Sequence, residues 1–151
     1  MSARQVSASR VIAAPPGRIF DLLTDPAMHP RIDGSGTVRA VLPGAPTRLE
    51  LGSRFGMNMK MGSSYKITNT VVEYEPDHVI AWRHLVGHRW RWQLEKSGED
   101  ATVVTETFDW STAHLPAIIS LSGFPRRNQR AMERSLQRLA DLAEQGREAS
   151  S

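Results

Sequence analysis

The sequence contains no cysteine, and its cations are sixteen arginines against only three lysines. The absence of thiols excludes a disulfide framework, thiolate zinc and iron–sulfur sites, and every mechanism with a cysteine nucleophile. Histidine and carboxylate sites stay chemically possible. However, His84 and His88 flank Gly87 in a predicted turn and would not share a helix face as paired metal ligands do. We therefore expect no metal and no other cofactor.

Long apolar runs are also missing. Runs such as residues 115–121 fall far short of the ~20 residues that cross a bilayer. Residues 1–12 alternate polar and apolar side chains instead of forming the apolar core of a signal segment. We expect a soluble, cytoplasmic protein without a membrane span.

The 151 residues are sufficient for one domain, which we predict to cover residues 1–151 with a frayed tail from about 147 to 151. A chain of this length buries roughly 68–70% of the surface that it exposes when unfolded. With 40% hydrophobic residues it can form one core, but a second core of similar size would not fit. A monomer and a dimer are both compatible with this composition.

The formal net charge is +3, and most cations are spread among carboxylates along the chain. The exception is an arginine cluster on a predicted helix: Arg126, Arg127, Arg130, Arg134 and Arg138. Because Glu133, Asp141 and Glu144 are nearby, we interpret the cluster as a solvated helix face in preference to a site for an anionic partner. We expect no stable binding of nucleic acid.

Hydrophobic periodicity predicts an α+β chain that begins with a strand over 5–13. A short helix over 16–24 follows Pro15, and a further helical turn and a loop lead to Gly36. Six runs rich in β-formers, separated by turn residues, then predict an antiparallel meander with strands at 38–41, 54–61, 65–74, 79–84, 89–95 and 102–110.

Residues 111–123 are predicted to be irregular, and a long helix is predicted over 125–145. Along this helix an apolar stripe recurs at steps of three and four residues: Met132, Leu136, Leu139 and Ala143. The stripe requires a surface to cover, and a sheet that curves around the helix supplies one.

Five segments, in this order and spacing, resemble the START/Bet v 1-like (SRPBCC) superfamily and its polyketide cyclase/dehydrase group. They are residues 14–23, 32–36, 72–76, 80–83 and 105–110, which read APPGRIFDLL, IDGSG, VEYEP, IAWR and TETFDW. The resemblance covers nearly the whole chain and implies the helix-grip (Bet v 1-like) fold, a seven-stranded curved antiparallel sheet around a long C-terminal helix, with two short helices after strand 1. It also implies an apolar cavity, which the superfamily uses for lipids, steroids, polyketides and plant hormones. It does not imply one reaction, because the fold hosts carriers, receptors, cyclases and chaperone regulators.

Strand alternation indicates which side chains face that cavity. Phe55, Met57, Met59 and Met61 share one face of their strand, and flexible methionines suit apolar ligands of varied shape. Aromatic side chains continue this surface on the following strands, and the terminal helix adds two residues: Trp82, Trp90, Trp92, Phe108 and Trp110, with Met132 and Leu136. Simple filling of the core explains the methionines slightly better and the aromatic residues about equally well.

Three polar residues fall on these apolar faces: Glu106, His84 and Asn69. Directed inward, Glu106 would have a raised pKa and serve as a general acid or base, with His84 orienting it or exchanging a proton with it. The stronger alternative is a β-bulge that turns Glu106 outward to pair with Arg91 or Arg83. The loop contexts of His29, His78 and His114 predict contact with solvent.

The favoured function is therefore binding of a hydrophobic or amphipathic small molecule, lipid or polyketide-like, between the sheet and the C-terminal helix. A polyketide cyclase or dehydratase that uses Glu106 and His84 is the first alternative. The second is a protein- or RNA-interaction module that uses the arginine-rich helix.

Overall fold

The computed structural model describes residues 4–84 and 86–149. Its seven strands form one antiparallel sheet in the order β1-β7-β6-β5-β4-β3-β2. The strands are β1 (Gln5–Ile12), β2 (Val38–Val41), β3 (Arg54–Met61), β4 (Ser63–Glu75), β5 (Val79–His84), β6 (Arg89–Lys96) and β7 (Thr102–Asp109). The meander predicted from turn chemistry is thus confirmed, and β1 forms one edge of the sheet by pairing with β7.

Two short helices, α1 (Pro16–Leu23) and α2 (His29–Ile32), follow β1 and are joined by a 3-10 turn at Pro26–Met28. Pro16 stands in the first turn of α1, where its missing N–H needs no partner. The long terminal helix is α4 (Phe124–Ala149). None of the helices in residues 4–84 and 86–149 combines the length and the apolar character needed to cross a membrane.

The structure corrects two boundaries near the C-terminus. Residues 111–123 were expected to be irregular, but α3 (Pro116–Leu121) forms there. Pro116 starts this helix, and six residues are too few for a periodic pattern to show. Residues 147–149 of the predicted tail belong to α4, and residues 150–151 lie outside the described residues.

The sheet wraps around α4, which packs mainly on β1 and β7. Register shifts between Val38 and Ala40 and between Val71 and Glu73 mark irregularities that increase local twist. The buried apolar residues form two clusters. The larger one contains the C-terminal part of the α4 stripe, and the smaller one joins Met132 to Phe108 and Trp110.

The loop after α2 is fastened to α4 at Gly34. The Gly34 N–H donates to Ser135 Oγ at 2.8 Å, and Arg134 Nε donates to the Gly34 carbonyl at 2.8 Å. A Cβ atom on Gly34 would lie 2.5 Å from the Ala131 carbonyl oxygen and 2.6 Å from the Ser135 nitrogen. Only glycine therefore permits this close approach of loop and helix.

We expect Gly34→Ala to lower the free energy of unfolding by about 1–3 kcal/mol, because backbone atoms of α4 cannot move aside for the added methyl group. Gly17→Ala is the matched control. Its Cβ would meet its nearest atoms at 3.7 Å inside α1, so we expect no loss of stability. Urea unfolding of the three proteins measures the difference, and equal stability of both variants would contradict the packing argument.

Candidate functional site

A cavity of about 590 Å³ lies between the concave face of the sheet and α4. Strands β3 to β7 supply one wall, and α4 supplies the opposite wall. The loop that follows α2 contributes Asp33, Ser35 and Thr37. This volume is typical of sites for small molecules, which range over roughly 300–1,000 Å³.

The structure brings most of the predicted site residues together along this cavity: Met57, Met59, Met61, Asn69, Trp82, His84, Trp90, Trp92, Glu106, Phe108 and Met132. Phe55 and Leu136 lie in the larger core cluster and do not line the cavity. Trp110 also lies outside the lining, and its Nε1 donates to Ser120 Oγ at 2.7 Å. For these three, core packing is the better interpretation.

The methionine stripe of β3 runs from the core to the cavity mouth. Met57 is buried, Met59 is half-buried, and Met61 is 42% exposed. Alternation along β3 put these side chains on one face, and the graded exposure shows that only the inner end is core. The outer end gives the mouth an adaptable apolar edge.

Strand register aligns the aromatic side chains into one wall. Trp82 pairs with Trp90 across β5 and β6, and Trp90 pairs with Phe108 across β6 and β7. The rings of Trp90 and Phe108 have centroids 4.8 Å apart. Cross-strand neighbours of this kind stabilise one another and form a continuous apolar surface.

His29 was expected to contact solvent, and this is wrong. The residue is buried, its ring stacks on Trp82 with centroids 4.7 Å apart, and it lines the cavity. Its Nε2 lies 2.8 Å from the Leu23 carbonyl oxygen, which can only accept, so Nε2 carries the proton. Burial lowers the pKa of His29 below 6.5, which favours the neutral ring. One feature of the sequence is consistent with this burial. His29 stands three residues before Ile32 on α2, so the two share one face of the helix, and Ile32 is buried.

Five residues that line the cavity each bury a polar atom for which the described residues provide no hydrogen-bond partner. The atoms are Asn69 Oδ1, His88 Nδ1, Trp92 Nε1, Glu106 Oε1 and Asn128 Nδ2. Each such atom costs roughly 1–3 kcal/mol when it stays unpaired away from water. The apolar walls thus include polar side chains with buried donors and acceptors that no described residue pairs.

Glu106 points into the cavity, which overturns the expected β-bulge that would turn it outward. The register of β7 with β1 and β6 is continuous through Glu106, and the residue is 5% exposed. Arg91, one of the expected outer partners, pairs with Glu73 at 3.2 Å. Burial raises the pKa of the Glu106 carboxyl well above its usual range, and the charge of Asp33 adds to the rise. The neutral form, which both donates and accepts, is therefore favoured.

The expected pairing of His84 with Glu106 is not supported by the register. Glu106 lies in the row of Trp92 and Ile80, whereas His84 is two strands away and four residues further along β5, which adds a displacement of about 13 Å along the strand direction. His84 instead stacks on His88 with ring centroids 4.4 Å apart. Burial and the proximity of His84 lower the pKa of His88 to about 4. Among residues 4–84 and 86–149, no three His, Asp or Glu side chains are grouped as metal ligands.

A protein-family model described as polyketide cyclase / dehydrase and lipid transport matches residues 3–144. The chain belongs to this family. The match includes every strand, the helices α1 to α3 and most of α4, and therefore the whole wall of the cavity.

Two curated relatives of this family member come from Mycobacterium tuberculosis. The uncharacterized protein Rv0088 of strain H37Rv is 38% identical over 148 residues, and the uncharacterized protein MT0096 of strain CDC 1551 is 37% identical over the same length. Each alignment covers 95% of this chain and 66% of the relative, so the chain spans slightly less than two thirds of their length.

Solved structures confirm the helix-grip fold of this family member. Protein CV1439 from Chromobacterium violaceum superposes with a TM-score of 0.71 at 20% identity, covering 93% of this chain and 97% of that one. The di-domain ARO/CYC StfQ from the steffimycin biosynthetic pathway gives a TM-score of 0.65 at 14% identity, covering 94% of this chain and 51% of that one. At these identities the likeness concerns the fold.

Proposed function

We propose that the chain binds an amphipathic small molecule, lipid-like or polyketide-like, in the cavity between the sheet and α4. The observation that carries this proposal is the set of unpartnered polar atoms within apolar walls. A plain hydrocarbon would leave these atoms unpaired, whereas hydroxyl or keto groups on an apolar body would pair with them. The family description and the ARO/CYC neighbour support the same class of ligand.

Tryptophan fluorescence provides a direct test, because Trp82, Trp90 and Trp92 line the cavity. We expect a hydroxylated anthraquinone to quench this fluorescence and to bind at least about tenfold more tightly than anthracene, since only the former pairs with the polar atoms. Quenching by neither compound, or equal affinity for both, would contradict the proposal.

Asn69→Leu isolates the contribution of one polar atom. Asn69 is buried with Oδ1 unpartnered, so this near-isosteric change should reduce the preference for the oxygenated compound several-fold. Asn58→Leu is the matched control, because Asn58 lies on β3 outside the cavity lining. An unchanged preference in Asn69→Leu would show that Asn69 does not contact the ligand.

A second candidate is a cyclase or dehydratase, and the buried, neutral Glu106 carboxyl favours it. In an apolar cavity such a group can serve as a general acid that protonates a leaving hydroxyl or a carbonyl oxygen of a polyketide-like substrate. A panel of β-hydroxy ketones tests this role. Glu106→Gln should reduce turnover by about 10²–10⁴-fold while ligand binding persists, and no turnover by the unmodified protein would exclude it.

A further inference from the structure

One face of α4 carries arginines at positions 127, 130, 134 and 138, a spacing that aligns them along the helix. Arg134 donates to the Gly34 carbonyl, and Arg138 Nη1 donates to the Asp33 carbonyl at 2.7 Å. These two arginines therefore hold the loop after α2 on the helix. The face that looked uniform in sequence has two different parts.

The other part is formed by Arg127 and Arg130, which are exposed and line the mouth of the cavity. The guanidinium group of neither arginine forms an ion pair or a hydrogen bond with a residue that the structure describes. Asn128, which lies between the two arginines in the sequence, is 7% exposed, and its buried Nδ2 has no partner among the described residues. This part of the mouth consequently offers several N–H donors that are not paired with any of the described residues.

The carboxylate that lines the same region, Asp33, is already engaged. Its oxygens accept from Ser35 Oγ at 2.8 Å and from the Val38 N–H at 3.1 Å. The opposite edge of the mouth is apolar, with Met61, Tyr65 and Val86 between 39% and 47% exposed. The mouth is thus cationic on its α4 side and apolar on its sheet side.

We propose that Arg127, Asn128 and Arg130 bind an anionic head group, a carboxylate or a phosphate, on the cavity ligand. The inference rests on the proposed function and adds the charge and the orientation of the ligand. Planar guanidinium groups bind carboxylate and phosphate through paired, charge-assisted hydrogen bonds. The apolar body then extends from the arginines toward the methionine stripe and the tryptophan wall.

Three amphiphiles with the same chain and different head groups test the inference: dodecanoate, dodecyl phosphate and dodecanol. We expect the unmodified protein to bind at least one of the two anions about tenfold more tightly than dodecanol. The ratio between the two anions distinguishes a carboxylate from a phosphate. Because the site is partly exposed, the preference should decrease in 0.5 M salt.

The double variant Arg127→Gln with Arg130→Gln should lose this preference and still bind dodecanol. The matched control, Arg126→Gln with Arg39→Gln, removes the same charge from exposed positions outside the cavity and should keep the preference. Equal binding of all three amphiphiles by the unmodified protein, or a preference that survives in the double variant, would overturn the inference alone. Failure of all three to bind would overturn the inference and count against the proposed function as well.

Discussion

Trp82→Ala is expected to lower the free energy of unfolding by about 3–5 kcal/mol, a large share of the 5–15 kcal/mol that typically stabilises a domain. Trp82 is 9% exposed, stacks on His29, and meets the Phe55 ring edge-on with centroids 5.7 Å apart. Its removal joins a new void to the existing cavity and leaves both rings without one of their aromatic neighbours. Urea unfolding followed by circular dichroism measures the loss independently of tryptophan fluorescence.

Two further variants separate packing from binding. Trp82→Phe keeps an aromatic ring over His29 and should recover most of the lost stability. Trp110→Ala removes a buried tryptophan that lies outside the cavity lining, so it should destabilise the fold while ligand affinity is retained. A loss below about 1 kcal/mol for Trp82→Ala would contradict the packing described for this residue.

Glu106→Gln is expected to change how stability depends on pH. The folded state holds the Glu106 proton more tightly than the unfolded chain, because the folded pKa is raised well above 4.5 by burial. The stabilisation associated with this proton is therefore fully present below pH 4.5 and is lost as the pH rises toward the folded pKa. The slope reaches about 1.4 kcal/mol per pH unit for one proton. Glutamine is always neutral and lacks this loss, so the variant should gain relative stability as the pH rises.

The measured quantity is the difference in the free energy of unfolding between the two proteins at each pH, because the titration of a buried histidine changes stability with pH in the opposite direction. His88 has a pKa lowered from 6.5 to about 4, so its contribution to stability falls as the pH drops through that interval. This effect is common to both proteins and cancels in the difference. Thermal unfolding between pH 4 and pH 8 provides the two curves.

Glu133→Gln is the control for the loss of one carboxyl group, since Glu133 is exposed on α4. Its curve should run parallel to that of the unmodified protein. Parallel curves for Glu106→Gln would instead mean that the folded protein does not hold the Glu106 proton more tightly, and the role of Glu106 as a neutral acid would be lost with it.

Much of the cavity wall could be predicted because a strand has a period of two residues. Met57 and Met59, Trp90 and Trp92, and Glu106 and Phe108 stand two apart, so each pair shares a face wherever its strand lies. Other features have no periodic signal. The six residues of α3 are too few to show one, and the sequence could not exclude a bulge at Glu106, which decides whether this carboxyl faces the cavity or solvent.

The sequence by itself determined the order of the strands and of the helices other than α3, the antiparallel meander and the faces of the strands, because these depend on local spacing and on turn residues. Only the tertiary structure decided that His29 is buried against Trp82, that His84 is distant from Glu106, and that the arginines of α4 divide between a loop contact and the cavity mouth. These relations join residues far apart in the chain. They depend on the register between strands and on the docking of the loop against the helix, and no local pattern contains either.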